Sequence, residues 1–550
     1  MKNLEVKSVD ILILGGGGAG LRAAIEAAKS KLNVAIISKE AFGRAHTEKA
    51  MGGINVAIKA PATPKQHFQD TLKGGWYIGN QKLIDIFARE MPDRIHDLVS
   101  YGVNFDRLPD GSFYTWAGGK QSAPLNLCAG DYTGREMMHG LVAETQKRGV
   151  TFIADHYVTK LFAQSGQIQG ALAIDLKTSA LVFFQTKAII LAAGGGGQLY
   201  KITSNEPSNT AEGYAFAYDL GAPLVDMEFI QFHPTGMAYP ESVHGSLITE
   251  KVRGHKGKLI NNIGERFMKR YQPERMELAG RDEVARAIYT EIKEGRGTKH
   301  GGVYLDVREL GKEEILKLIP DVYEKFKSVG VDISREMMEI TPTMHHMMGG
   351  VKIDEWGATP IDGFFAAGEV TCSVHGANRL GGNSLAEGQV FGRRAGMGAA
   401  KFAKIASQST VSTKDLNAEI DRIGALNKRK NGISFEAIRR DLKETMWNNV
   451  GIVRKRANMG KALQDISGLD RRVDEMKAGN IPELQGCLET VEMLTVARLI
   501  ATAAIARTES RGAHYREDFP QMKKEWEKNI VITKNNSAIQ TRIVPTVKRT

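Results

Sequence analysis

The chain has 550 residues, of which 42% are hydrophobic and 25% charged. This composition suits a soluble protein of two to four domains, and it excludes intrinsic disorder, a collagen-like repeat and a coiled coil. The net charge of +11 comes from dispersed lysines and arginines without a nucleic-acid-binding module, so we expect no nucleic acid as partner. An anionic ligand, a nearby anionic membrane surface or a merely lysine-rich surface would each account for the excess.

The cysteines and the apolar runs narrow the class of protein further. Cys128, Cys372 and Cys487 are scattered and form no CxxC pair, which excludes a disulfide scaffold and an iron–sulfur cluster held by this chain alone. No apolar run approaches the roughly eighteen residues of a membrane span. The N-terminus has no signal-peptide pattern and no twin arginine. We therefore expect a cytoplasmic chain.

A dinucleotide-binding pattern opens the chain. It reads strand, glycine turn, helix and strand, at 9–14, Gly15-x-Gly17-x-x-Gly20, 21–29 and 34–37. Glycines in this context let the backbone approach a pyrophosphate at the positive end of a helix. The second strand ends at Ser38 and Lys39 instead of the usual ribose-binding acid. Because Lys39 can contact a phosphate, this motif alone leaves FAD and NAD open.

Two more strand-to-glycine units, at 188–197 and 363–369, lie far along the chain. Three such units predict one nucleotide-binding domain with a large insertion. Segments 434–446 and 489–506 have the apolar spacing of helices, and a polar linker at 407–414 leads into this helical region. The basic tail shows little periodicity.

Several polar and glycine-rich motifs follow in order: Arg44–Asn55, Gln231–Gly236, Leu247–Gly254, Gly264–Met268, Gly280–Asp282, Thr343–Gly350 and His375–Leu385. Together they resemble the flavoprotein subunit of the succinate dehydrogenase and fumarate reductase family. The resemblance extends from Val9 to Lys548. It implies an α/β fold with a Rossmann-like FAD-binding domain (1–232 and 345–400), an inserted α+β capping domain (233–344), a helical domain (401–510) and a small C-terminal domain (511–550).

The resemblance also implies a dicarboxylate site. His233, His345 and Arg379 would hold the carboxylates, and Thr249 would add a hydroxyl donor. Cationic and hydrogen-bonding groups of this kind are what a four-carbon dicarboxylate requires.

The resemblance assigns the proton transfer to Arg281. Because the pKa of arginine exceeds about 12, this residue needs a relay, and the family implies Glu250 and Arg253 for it. Their i, i+3 spacing would bring them together on a helix.

For the cofactor, the resemblance implies covalent FAD, attached to His46 through the 8α-methyl group of the flavin. Glu369 resembles the residue that binds the ribityl or ribose hydroxyls. Taken with the glycine turn, the expected FAD-binding residues are Gly15, Gly17, Gly20, Ser38, Lys39, His46, Thr47, Gly52, Gly53, Glu369, Ser384 and Leu385.

The sequence departs from the family pattern at three places. Met51 stands where the family has Gln or Glu beside the flavin, and a thioether cannot hydrogen-bond N5 as they do, which leaves the reaction direction open. Leu125-Asn126 replaces an Arg-Thr pair. Ala211-Glu212-Gly213 replaces Gly-Asp-Gly.

We therefore expect the catalytic subunit of a succinate:quinone oxidoreductase. It would pass electrons to an iron–sulfur subunit and lie on the inner face of the cell membrane through membrane-anchor subunits. L-Aspartate oxidase is an alternative, although it generally lacks the flavin-linking histidine that His46 matches. A thiol-driven fumarate reductase and a non-catalytic flavin-binding subunit are further alternatives. The intact set His233, Arg281, His345 and Arg379 argues against a non-catalytic role.

Overall fold

The computed structural model describes residues 4–429, 431–536 and 538–549. Its strands are β1 (Leu4–Leu14), β2 (Val34–Ile37), β3 (Ile54–Asn55), β4 (Thr115–Trp116), β5 (Asn126–Leu127), β6 (Thr151–Ile153), β7 (His156–Gln164), β8 (Gln167–Asp175), β9 (Leu181–Leu191), β10 (Leu224–Val225), β11 (Ile230–Met237), β12 (Lys258–Ile260), β13 (Val303–Asp306), β14 (Met338–Met347), β15 (Gly350–Lys352), β16 (Phe364–Ala366), β17 (Thr371–Cys372), β18 (Val453–Arg454), β19 (Tyr515–Arg516), β20 (Lys528–Asn535) and β21 (Ala538–Pro545). Its helices are α1 (Gly18–Ala28), α2 (Pro64–Gly74), α3 (Gln81–Ser100), α4 (Thr133–Lys147), α5 (Glu212–Asp219), α6 (Lys251–Gly254), α7 (Met268–Tyr271), α8 (Arg281–Lys293), α9 (Gly311–Leu318), α10 (Pro320–Lys327), α11 (Asn383–Ile405), α12 (Thr413–Lys428), α13 (Phe435–Asn449), α14 (Arg456–Arg471) and α15 (Ile481–Ala506).

The main sheet brings the three predicted strand-to-glycine units together. Strands β6, β2, β1, β9 and β16 are parallel neighbours in this order, and the antiparallel pair β7–β8 joins the beginning of β9. Residues 11–14 of β1 are buried apolar side chains, as expected for a strand covered on both faces. The prediction of one nucleotide-binding domain assembled across an insertion therefore matches the sheet.

Helices α1 and α11 cross closely behind this sheet because α11 carries glycines at the contact. A Cβ on Gly392 would lie 2.6 Å from the carbonyl oxygen of Ala19, and one on Gly396 would lie 2.4 Å from that of Ala23. This close packing places both helix N-termini near the carboxyl edge of the sheet.

The insertion forms a second core. Strands β11, β14, β13 and β12 make an antiparallel sheet, and a separate cluster of buried apolar residues lies between this sheet and helices α8, α9 and α10. The predicted boundaries at His233 and His345 fall inside β11 and β14. The insertion therefore leaves and re-enters the first domain along two paired strands.

Helices α12 to α15 form the predicted helical region, and α13 and α15 cover the two segments with helical spacing. The C-terminal tail is not irregular: β20 and β21 form a hairpin, and β20 pairs with β10 of the first domain. Most side chains of β21 are exposed on both faces, which explains why the sequence shows no alternation there. Among the described helices, none combines the length and apolarity needed to cross a bilayer.

Candidate active site

A large cavity lies where strands β1, β9 and β16 end. Ligands of open α/β sheets bind at this carboxyl edge. The cavity has an empty volume of about 1700 Å³, including its open mouth, and it continues from the glycine turn of the first domain to the insertion. It is lined by every residue predicted to bind FAD except Gly20, and by all four residues of the predicted substrate site, His233, Thr249, His345 and Arg379. Of the predicted proton-transfer residues, Glu250 and Arg281 line the cavity and Arg253 does not.

The glycine turn has no room for side chains. Gly15 has a φ of +115°, and a Cβ there would lie 2.2 Å from the carbonyl oxygen of Ala192. A Cβ on Gly20 would lie 2.0 Å from the carbonyl oxygen of Gly15. Gly17 precedes helix α1, and the N–H of Gly18 donates to the hydroxyl oxygen of Thr47 at 3.1 Å. Backbone without side chains, lining a cavity at a helix N-terminus, fits the pyrophosphate of a dinucleotide.

Lys39 lies at the end of β2 but contacts carboxylates. Its Nζ is 2.7 Å from Glu212 and 2.9 Å from Glu489, and it donates to the hydroxyl of Thr210. Burial alone would lower the pKa of Lys39, whereas the two carboxylates raise it above its ordinary value. The positive charge of Lys39 is therefore already balanced by two carboxylates of the protein. Glu212, to which the sequence motifs assigned no role, lines the cavity and supplies an acid at this end.

Ala211, which replaces a glycine of the family pattern, keeps a left-handed backbone conformation that favours glycine. Ala211 has a φ of +72° and immediately precedes α5, and its side chain is buried. The left-handed conformation costs an L-residue about 1–2 kcal/mol, so the substitution stores strain directly before Glu212, which lines the cavity. The second departure, Asn126, lies in buried strand β5 and donates to Gln121. Nothing in the structure explains why Leu125 replaces an arginine.

Glu369, expected to bind FAD, is held by strand β14. Its Oε1 accepts a hydrogen bond of 3.0 Å from the N–H of Met347, and its Oε2 lies 3.3 Å from Nδ1 of His346. A Cβ on Gly195 would lie 2.1 Å from Oε1, so the carboxylate occupies space that only glycine leaves free. Burial raises the pKa of Glu369.

Three histidine rings meet in the cavity. The ring centroids of His46 and His345 are 5.9 Å apart, and those of His233 and His345 are 5.2 Å apart. Burial lowers the pKa of all three, and nearby arginines lower those of His233 and His345 further. The rings are therefore neutral near pH 7. Nδ1 of His46 is buried without a hydrogen-bond partner among the described residues.

Arg379 brings a buried cation to the same wall. Its Nε is buried and has no hydrogen-bond partner within the described part of the chain. Burial and the neighbouring Arg281 lower the pKa of Arg379 to about 9. A buried cation of this kind requires an anion, and a substrate carboxylate fits it. Thr249 faces the same space from the insertion, with its hydroxyl oxygen 3.6 Å from where a Cβ on Gly52 would lie.

The predicted relay residues are in contact. Arg281, the first residue of α8, places Nε 2.8 Å from Oε2 of Glu250, and Nη2 of Arg253 lies 3.7 Å from the same oxygen. The N–H of Gly119 donates to Oε1 of Glu250 at 2.8 Å. Burial would raise the pKa of Glu250, but the two arginines hold it far below its ordinary value. Glu250 is therefore ionised between two cations.

Gln231 positions Arg281, although the sequence motifs assigned it no role. Its Oε1 accepts from Nη1 of Arg281 at 3.1 Å, and its Nε2 donates to Asn378 at 2.9 Å and to the carbonyl of Arg379 at 2.7 Å. The sequence feature that could have identified Gln231 is its position directly before Phe232 and His233 in one of the polar motifs.

Met51 links the flavin side of the cavity to the insertion. It lines the cavity and is buried. It belongs to an apolar cluster whose other buried members all lie between Met237 and Ile340. The apolar side chain at this departure therefore packs into the core of the insertion.

Comparisons with known proteins agree with this geometry. Residues 10–385 match the family model described as FAD binding domain, and residues 439–548 match that described as fumarate reductase flavoprotein C-term. A fumarate reductase (CoM/CoB) subunit of Methanothermobacter marburgensis is 46% identical, over 96% of this chain and 98% of its own length. The succinate dehydrogenase flavoprotein subunit of Coxiella burnetii is 38% identical, over 95% of this chain and 93% of its own.

Solved structures match over the same extent. The FrdA chain of a quinol fumarate reductase variant of E. coli superposes with a TM-score of 0.95 at 32% identity, covering 100% of this chain and 98% of that one. Mycobacterium smegmatis Sdh1 in complex with UQ1 gives 0.89 at 37% identity, covering 99% and 95%. The predicted family resemblance, FAD as cofactor and the α/β fold with FAD-binding, capping, helical and C-terminal parts are confirmed.

Proposed function

This chain belongs to the family of fumarate reductase and succinate dehydrogenase flavoprotein subunits, and we propose that it interconverts fumarate and succinate in the cavity between its FAD-binding and capping domains. The observation that carries the proposal is the ion cluster of Arg281, Glu250 and Arg253. Its members Arg281 and Glu250 line the same cavity as Arg379, whose buried Nε has no hydrogen-bond partner among the described residues. It combines a site for carboxylates with a site for proton transfer.

The protein's part begins with binding. Arg379 pairs with one substrate carboxylate, and neutral His233 and His345 donate hydrogen bonds, with the Thr249 hydroxyl as an additional donor. Because these groups come from both the FAD-binding domain and the capping domain, they hold the dicarboxylate across the junction and exclude water from it.

Proton transfer is the second part. FAD held by the glycine turn and Glu369 would supply the hydride chemistry at one of the two central carbons of fumarate or succinate. Arg281 donates a proton to the other carbon, so one hydride and one proton together form succinate. Arg281 then regains its proton through Glu250 and Arg253, whose charges keep the guanidinium oriented between turnovers.

His46 is proposed as the covalent attachment point of FAD. The support is its buried ring nitrogen Nδ1, which has no hydrogen-bond partner in the described part of the chain, in a cavity wall that also includes the glycine turn and Thr47. An imidazole bonded to the 8α carbon would withdraw electron density and raise the flavin potential, which succinate oxidation needs because succinate is a weak reductant.

The electrons are proposed to pass to a separate iron–sulfur subunit. One solved relative is a quinol–fumarate reductase with menaquinol molecules. By analogy this chain would lie at the inner face of the cell membrane, attached through anchor subunits that exchange electrons with quinone.

A second candidate is a fumarate reductase driven by thiols. The relative at 46% identity is named for CoM and CoB. In this version two thiols give two electrons and two protons as they form a disulfide on a partner subunit, and fumarate receives them here. Purifying the complex with a tagged copy of this chain, then offering either a quinol or a thiol pair with fumarate, separates the two. Quinone reduction by the isolated chain at the rate of the complex would contradict both.

The test of the catalytic proposal compares two arginines of one helix. With FAD loaded and reduced viologen as donor, Arg281→Lys should lower fumarate reduction by at least about 100-fold, because lysine lacks the fixed planar donor geometry. Arg286→Lys is the control, since Arg286 lies further along α8 and stacks over Tyr515 at 4.8 Å. Near-normal turnover by Arg281→Lys would show that another group moves the proton.

A further inference from the structure

Ser204 contacts the imidazole of His345 from outside the cavity. Its hydroxyl oxygen lies 2.9 Å from Nδ1 of His345. The side chain is buried, and the segment is fixed to strand β14: the N–H of Ser204 donates to the carbonyl of Met344 at 2.9 Å, and Asn205 donates to the carbonyl of His345 at 3.0 Å. The hydroxyl and the ring are therefore held in register by two hydrogen bonds to the backbone of β14, one from the N–H of Ser204 and one from the side-chain amide of Asn205.

The direction of this hydrogen bond follows from the acceptors nearby. The Ser204 hydroxyl has one hydrogen and two acceptors within reach, Nδ1 of His345 at 2.9 Å and the carbonyl of Met344 at 3.2 Å. That carbonyl already accepts from the N–H of Ser204 and from the hydroxyl of Thr203 at 3.3 Å. A carbonyl oxygen has two lone pairs. The Ser204 hydrogen is therefore directed to Nδ1 of His345.

A neutral imidazole has one N–H, so a ring that accepts at Nδ1 donates from Nε2. His233 is held in the same tautomer by a different donor. The backbone N–H of Thr235 points at Nδ1 of His233 at 3.3 Å, and a backbone N–H can only donate. Burial keeps the pKa of both rings well below the ordinary value, so neither gains a second proton near pH 7.

We propose that Ser204 is a positioning residue that fixes the tautomer of His345, so that this neutral ring presents an Nε2–H donor to a substrate carboxylate. The proposal rests on the proposed function, since it takes the dicarboxylate as the ligand of His345. The pair His233 and His345 then provides two donors without adding positive charge beside Arg379 and Arg281. This keeps the cavity from becoming a cluster of four cations in the absence of substrate.

The tautomer can be measured without any substrate. In chain labelled with ¹⁵N-histidine, the His345 resonances are assigned by their loss in His345→Gln. The expected result is a protonated Nε2 and an unprotonated Nδ1 in the wild type, with a mixture of tautomers in Ser204→Ala. A wild-type ring with its proton on Nδ1 would overturn the proposal, whatever reaction the protein catalyses.

Binding tests the consequence. Malonate is the probe, titrated into the FAD-loaded chain. Ser204→Ala should raise its Kd and the KM for fumarate by about tenfold, the value of one hydrogen bond, with FAD content and melting temperature unchanged. Ser204→Thr keeps a hydroxyl and should restore binding to near wild type. Unchanged affinity in the alanine variant, or equal loss in both variants, would refute the positioning role. Loss of all dicarboxylate binding in the wild type would instead refute the proposed function.

Discussion

Replacing Glu250 by glutamine tests the relay with almost no change of shape. The side chain is buried, with Oε2 2.8 Å from Nε of Arg281 and Oε1 accepting the N–H of Gly119. The amide oxygen of the introduced glutamine can keep the bond to Gly119. Its NH₂ group would then face the N–H of Arg281, so two donors oppose each other and the negative charge is lost.

The size of the effect follows from these contacts. A hydrogen bond to a charged group contributes about 1.5–3 kcal/mol, which at about 1.4 kcal/mol per decade corresponds to roughly 10- to 150-fold in rate if it acts in the transition state. Loss of the proton route adds the roughly 10²–10⁴-fold of general acid–base catalysis. We therefore expect Glu250→Gln to reduce fumarate turnover at least about 100-fold.

The assay is oxidation of reduced viologen by fumarate at saturating substrate, with flavin content measured for each variant. The control is Glu265→Gln, which removes a half-exposed carboxylate of the capping domain that pairs with Arg270 at 2.6 Å. It should leave the rate unchanged. A Glu250→Gln rate within about threefold of wild type would refute the role of Glu250 as relay.

Three further predictions concern the flavin, the histidines and the C-terminal core. His46→Ser should keep FAD non-covalently, release it in acid, retain part of the fumarate reduction and lose most succinate oxidation, whereas wild-type flavin should stay with the chain on a denaturing gel. Because the pKa values of His233 and His345 are lowered, both rings stay neutral as pH rises through about 6.5, the ordinary histidine value. The affinity for malonate should therefore be constant across the neutral range, and a loss of affinity near about pH 6.5 would indicate cationic rings. Arg507→Met should lower the melting temperature, because fully buried Arg507 pairs with Glu228 at 2.6 Å and removing one partner of a buried ion pair costs about 3–5 kcal/mol. An unchanged melting temperature would contradict this prediction.

The parts of the fold that depend on local spacing could be predicted from the sequence. The glycine turn before α1, the strand at 34–37 and the helices around 434–446 and 489–506 are set by neighbouring residues. The hairpin of β20 and β21 could not be predicted, because its pairing with β10 joins segments that are distant in the chain and its outer strand is exposed on both faces.

The same distinction applies to the site. The family motifs identified Arg281, Glu250 and Arg253, and the structure brings them into contact. Both acidic partners of Lys39 are distant in the chain, and one of them, Glu489, lies 450 positions away. No local pattern shows that a lysine at the end of β2 is already paired, and for the same reason the motif alone assigned it to the cofactor.

The most direct measurement is a crystal structure of the FAD-loaded chain with a dicarboxylate such as malonate. We expect one carboxylate within hydrogen-bond distance of Arg379 and the other carboxylate accepting a hydrogen bond from Nε2 of His233 or His345, with Arg281 facing the carbon chain. A dicarboxylate bound more than about 10 Å from both Arg379 and His345, far beyond hydrogen-bond reach, would contradict this expectation.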